Sequence, residues 1–176
     1  MEWEQVLELK EKMKYVGKDI VREDAVLKVR GKLRYVDDLR FDKVLYAKLL
    51  RSPLPHALVK KVDVSEALKV PGVVDIITPF DVPKRRFGRT FSPVPWKVPK
   101  DRMILEEKVR FVGDPVAAVA ATSEYAAEEA VERIHVEYEE LPAVFTIEDA
   151  IQPDAPLVHE EVEVGDQVVK IERNIG

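Results

Sequence analysis

The chain has 176 residues, 46% apolar and 35% charged, with a formal net charge of −5 and no cysteine. That size and apolar content suit one ordinary domain with a real core and argue against disorder. Lacking cysteine, the chain has no disulfide, thiolate-ligated iron–sulfur cluster, thiolate zinc site or cysteine nucleophile; lacking any run of 18 apolar residues, it has no expected membrane span.

The first residues, Met1 to Val6, are acidic and lack the basic-then-apolar layout of a secretory leader, so a cytoplasmic location is expected. High charge, with Asn174, Gln5, Gln152 and Gln167 the only amides, leans toward a thermophilic source. Charge is unevenly spread. Lys84 to Arg102 holds seven basic residues and one acid, Asp101, whereas Glu124 to Asp166 holds fourteen acids and one base, Arg133. Such polarity shapes a solvated surface or matches an oppositely charged neighbour.

In chain order, Trp3, Val6, Leu7 and Met13 fall at helical spacing and predict a short amphipathic helix over 2–13. Val44 to Leu50 is apolar on nearly both faces, which predicts a central strand. Leu58 to Val64 predicts a strand with Leu58, Val62 and Val64 on one side and Val59, Lys61 and Asp63 on the other. Ser65 is placed to cap a helix over Glu66 to Val70, which Pro71 and Gly72 end. Val73 to Thr78 reads as a short buried strand. The proline-rich stretch from Pro79 to Pro99 cannot hold regular structure for long, and a loop of that length is functional or mobile.

Val116 to Ala121 predicts a strand whose alanines admit a helix at close range. Ser123 caps that helix, which runs to Arg133 with Ala126, Ala127, Ala130 and Val131 as its apolar stripe. Ile134 to Tyr138 alternates, with Ile134, Val136 and Tyr138 inward; Thr146 and Asp149 form a capping pair for Ile147 to Ile151. Strands and helices interleave without a strict βαβ repeat, which favours an α+β fold.

Each candidate site has a plainer competitor. Arg51, Ser52 and His56 form a polar cluster that suits a contact with a neighbouring domain; the plainer account has Arg51 and His56 satisfying nearby backbone carbonyls. Gly113-Asp-Pro115 reads as a tight turn. Glu137, Glu139 and His135 share a strand face, a solvated one rather than a metal site. His56, His135 and His159 occur singly, without zinc spacing. Lys84 to Arg89, with Phe91 and Trp96, could grip a nucleic acid, but an acidic chain without a nucleic-acid fold signature favours a subunit or domain boundary.

Three segments in fixed order carry a resemblance: Arg51-Ser-Pro-Leu-Pro-His-Ala57, Val112-Gly-Asp-Pro-Val-Ala-Ala118 and Val136-Glu-Tyr-Glu-Glu-Leu-Pro-Ala143. With Gly31 to Asp38 and Ala67 to Val73, they resemble the α/β hammerhead. This is the first domain of the molybdenum-binding large subunit in the xanthine dehydrogenase, aldehyde oxidase and carbon monoxide dehydrogenase family. The resemblance runs from Gly17 to Glu160. It implies an α+β hammerhead domain with a mixed sheet and interleaved helices over 16–160, an N-terminal helix over 1–15, and a tail over 161–176 leading toward molybdopterin-binding domains.

It further implies an assembly domain of a molybdenum hydroxylase oxidoreductase, inactive alone. The complete enzyme would carry molybdopterin, iron–sulfur clusters and FAD, none bound by this chain. Partners would be the molybdopterin-binding remainder and the iron–sulfur and flavin subunits, with no nucleic acid and no membrane. No catalytic, cofactor or metal residue carries over. The interface candidates are Arg51, Ser52, His56, Arg85, Arg86, Phe87, Arg89 and Trp96. A stand-alone interaction module that kept the fold without a redox role is the alternative.

Overall fold

A computed structural model describes residues 13–15, 17–88 and 99–174. The helix expected over 2–13, apart from Met13, lies outside the described residues, as do Arg89 and Trp96. The chain forms two compact units, Met1–Asp42 and Lys43–Gly176. The first contains helix α1 (Ala25–Val29), preceded by Asp24, which pairs with Lys28 at 2.7 Å and Arg22 at 2.8 Å. A 3-10 turn over Val36–Asp38 follows, closed by the Asp38 carboxylate on the Tyr35 N–H.

The second unit grows from its smallest side chains. Strand β1 (Tyr46–Arg51), strand β3 (Val73–Ile77) and strand β5 (Pro115–Ala121) form an antiparallel sheet in the order β1-β5-β3. The alanine-rich β5 is therefore central. Ala117, Val119 and Ala121 line one face, against Ala126, Ala127 and Ala130 of helix α2 (Glu124–Glu132). Alanine on both surfaces removes the bulk that would hold helix and sheet apart. The Ser123 hydroxyl accepts the Ala126 N–H at 3.2 Å and starts α2 as expected; such a cap contributes about 1 kcal/mol.

A second antiparallel sheet orders strand β4 (Lys108–Val109), strand β2 (Ala57–Asp63) and strand β6 (His135–Glu140) as β4-β2-β6. Ile134, Val136 and Tyr138 turn inward as expected. Short helix α3 (Ile147–Ala150) begins at Thr146, whose hydroxyl accepts the Asp149 N–H at 3.1 Å. Strands β7 (Glu161–Val164) and β8 (Gln167–Lys170) make a terminal hairpin.

Four expectations need correction. β1 is an edge strand, not a central one, and Tyr46 and Leu49 are each 43% exposed. β3 is the opposite edge, and only Ile76 of its residues is buried. In β2 the pairing with β6 slips between Val59 and Lys61. This bulge at Lys60 moves the inward face from Ala57 and Val59 to Val62 and Val64, so Val59 is core rather than solvent-facing. Finally, the helix expected from Ser65 is one 3-10 turn over Ala67–Lys69 without a side-chain cap. The Asp63 carboxylate captures the Ser65 N–H at 3.0 Å, a local turn that competes with helix entry.

Gly72, after that turn, sits at φ +97 while its carbonyl accepts the Thr122 N–H at 2.8 Å. A Cβ there would meet Thr122 Oγ1 at 2.8 Å, whereas Gly113, at φ +94, has nothing within 4 Å. Gly72→Ala therefore combines backbone strain with a clash and should lose about 1–3 kcal/mol. Gly113→Ala carries the backbone term alone and should lose less. Urea unfolding of both variants checks the ranking; equal losses would contradict it.

Candidate functional site

Three of the segments that stood out in the sequence, 51–57, 112–118 and 136–143, meet in space. Ser52 is 2% exposed, and its hydroxyl donates to the Leu54 carbonyl while accepting the Leu54 N–H, both at 3.0 Å. Its backbone N–H donates to the Asp114 carbonyl, its carbonyl accepts the Gly113 N–H, each at 2.8 Å, and Arg51 donates to the Gly113 carbonyl at 2.8 Å. The Gly113-Asp-Pro115 turn is thus sewn to the end of β1. At the other end of the segment, His56 Nδ1 lies 2.5 Å from the Pro142 carbonyl, and the His56 carbonyl accepts the Leu141 N–H at 2.9 Å. Arg51 and His56 do satisfy backbone carbonyls, the plainer of the two accounts.

Around this junction lies a recess of about 230 Å3, walled by Pro55, His56, Pro142, Val144, Pro156 and Val158 among others. Its rim is apolar and open to solvent: Phe111 is 41% exposed, Val112 64% and Phe145 77%. A neighbouring hollow of about 410 Å3 is more polar, lined by Arg102, Glu106, Arg110, Asp114 and His159. Its charges are largely engaged. Glu106 and Arg110 form an ion pair with side chains only 13% and 10% exposed. Arg110 also donates to the Val158 and Lys108 carbonyls, and Arg102 lies over the Phe111 ring at 5.5 Å. The Asp114 carboxylate accepts the Arg110 backbone N–H at 3.0 Å, while burial pushes its proton affinity up.

The basic stretch from Lys84 finds its counter-charge on the same chain. Lys84 pairs with Glu107 at 2.5 Å; Arg86 grips Glu161 through both backbone carbonyl and carboxylate at 2.9 Å; Lys100 bridges Glu163 by two backbone hydrogen bonds. Arg85 and Phe87 remain exposed, Phe87 being bridged to Arg102. Of the interface candidates, Ser52 and His56 are buried, Arg86 is half-buried, and Arg51, Arg85 and Phe87 face solvent. Glu137 and Glu139 are exposed and pair across the strand with Lys61 and Lys60, as a solvated face does.

No thiolate exists to hold an iron–sulfur cluster. Among the described residues no three His, Asp or Glu converge as metal ligands. The Arg110 guanidinium is committed to Glu106 and two carbonyls.

Antiparallel sheets, one of them covered on one face by helix α2 and joined to the next by a polar weld, define a small α+β domain. The family model described as "Aldehyde oxidase and xanthine dehydrogenase, a/b hammerhead domain" matches residues 30–142, and the chain belongs to that family. It is 42% identical over 149 residues to the probable hypoxanthine oxidase XdhD of Escherichia coli O157:H7, which covers 85% of this chain and 16% of that protein. It is 35% identical over 150 residues to the nicotinate dehydrogenase large molybdopterin subunit of Eubacterium barkeri, covering 85% of this chain and 34% of that one. The aldehyde oxidoreductase structure from Desulfovibrio gigas superposes with TM-score 0.69 at 39% identity, over 78% of this chain and 16% of the other. The chain thus spans less than a fifth of the length of most of these relatives and corresponds to one part of them. The α+β hammerhead expectation is met, with sheets that are antiparallel rather than mixed.

The Glu106–Arg110 pair and the half-buried His159 had no signal in the sequence, because their environment is made by distant segments. Burial first, then the Arg110 charge, holds the His159 imidazole below its ordinary value, against the pull of Asp101, Glu106 and Glu160. A lowered histidine costs nothing above the unfolded value near about 6.5, and its penalty grows as pH falls below it. His159→Gln should therefore lose less thermal stability than the parent chain between pH 7 and 5. Parallel melting profiles for the two would contradict the assignment.

Proposed function

We propose that this chain is a non-catalytic structural and assembly domain of a molybdenum hydroxylase. It packs on the molybdopterin-binding remainder of the large subunit and adjoins iron–sulfur and flavin subunits. The observation that carries this reading is the uncovered face of the β1-β5-β3 sheet. One face holds α2. The other pairs Leu49 with Ala118 and Ala47 with Ala120, and sets Ile77 opposite Ala118 from the far edge. Leu49 and Ile77, at 43% and 38% exposure, flank a floor of alanines. Apolar ridges around a shallow floor are what a packed neighbour needs, and exposed patches of this kind mark interaction surfaces.

Arg51, Arg85 and Phe87 are exposed and open to contact with such neighbours, while Ser52 and His56 are buried and fix the backbone. Any substrate oxidation belongs to the cofactor held elsewhere, which the protein positions and insulates. The cysteine-free composition is in keeping with work in the reducing cytoplasm.

The test is co-expression with the molybdopterin-binding polypeptide of the same source. The chain should co-purify with it. The double variant Leu49→Glu with Ile77→Glu should keep its circular dichroism yet bind at least about tenfold more weakly, a loss of about 1.4 kcal/mol. Failure of the parent chain to associate, or substrate turnover by the purified chain alone, would overturn the proposal.

A further inference from the structure

We infer that Asp75 is a built-in guard that keeps strand β3 from pairing with a second copy of this chain. The inference does not rest on the assembly reading, which concerns the face of the sheet rather than its edge. Strand β3 ends the β1-β5-β3 sheet, so among the described residues one side of its backbone has no ladder partner. Its sequence, Val73-Val-Asp-Ile-Ile77, otherwise suits strand addition. Four of the five residues are β-branched, and Val74 and Ile77 are 54% and 38% exposed. An apolar edge of that kind is a template for another chain unless something blunts it.

The guard is read from one hydrogen bond. In an antiparallel ladder, successive residues turn their N–H and C=O groups alternately toward the neighbouring strand and away from it. Ile76 stands opposite Val119 of β5, and its side chain is buried in the cluster that α2 covers. Its N–H donates to Asp75 Oδ1 at 2.9 Å, so Ile76 is a residue that turns its backbone away from β5. That N–H is the donor an added strand would need, and the carboxylate of the preceding residue already occupies it. The position before is spoiled as well. The register slips between Val73 and Asp75, which puts Val74 in a bulge and breaks the regular outward row.

The charge of Asp75 acts a second time. In the antiparallel register that sets Ile76 against Val74 of a second copy, the two Asp75 carboxylates stand opposite one another. Like charges directly across a strand pair are destabilising. Asp75 is exposed, so little else shields that encounter. One side chain thus removes a donor and adds a repulsion at the middle of a five-residue edge.

Sedimentation over a concentration series tests the guard on the whole chain. Asp75→Val, checked for folding by circular dichroism, should self-associate at least about tenfold more tightly than the parent. Asp75→Asn keeps an acceptor for the Ile76 N–H and loses only the charge, so it should fall between the two. Adding Val74→Lys, an exposed change on the same edge, to Asp75→Val should return association to the parent level. Association of Asp75→Val no tighter than the parent's, or a tightening that Val74→Lys leaves intact, would overturn the inference. If Asp75→Val does not fold, the parent and Asp75→Asn decide, and equal association of those two overturns it.

Discussion

The seven residues from Arg51 to Ala57 are the constraint on which the rest of the second unit depends. They carry the chain from the first sheet into the second, and at both ends they are held by buried polar contacts rather than by packing alone. Ser52 exchanges backbone hydrogen bonds with the Gly113–Asp114 turn, and His56 closes on the Leu141–Pro142 segment. Pro53 and Pro55 restrict the backbone between those two points, so little entropy is lost in fixing it. Because these bonds are shut away from water, leaving any one unmade costs about 1–3 kcal/mol. The two sheets thereby acquire one relative placement, and the recess beside His56 is a consequence of it.

Electrostatics finishes the other side. The basic stretch and the acidic C-terminal stretch, read along the chain as opposite poles, neutralise one another through Arg86–Glu161 and Lys100–Glu163. The same logic holds β1 to α2, where Glu128 and Glu124 together raise the proton affinity of Lys48. These pairs are largely exposed and each is weak. Their effect is placement rather than strength.

What was legible in the sequence was local. Ser123 before an alanine run specifies α2 and the strand it covers, because cap, stripe and small side chains lie within twenty residues of one another. The alternation of Ile134, Val136 and Tyr138 was equally direct. β1 was misread because an apolar pattern suggests burial on both faces, whereas an edge strand leaves Leu49 43% exposed. β2 was misread because one extra residue, Lys60, reverses the parity on which face assignment rests. The cluster of Arg51, Ser52 and His56 was visible as chemistry, yet its partners at 113–114 and 141–142 are set by tertiary contact. Three of the family-like segments, 51–57, 112–118 and 136–143, proved to be neighbours in space, which their order along the chain does not reveal.

Native-state hydrogen exchange on the chain addresses the polar weld directly. The Ser52, Gly113 and Leu141 amides should exchange only with global unfolding, at the same free energy as Val119 in the central strand. Exchange of those three amides orders of magnitude faster than Val119 would show that the junction opens on its own, and the two sheets would then owe their placement to something else.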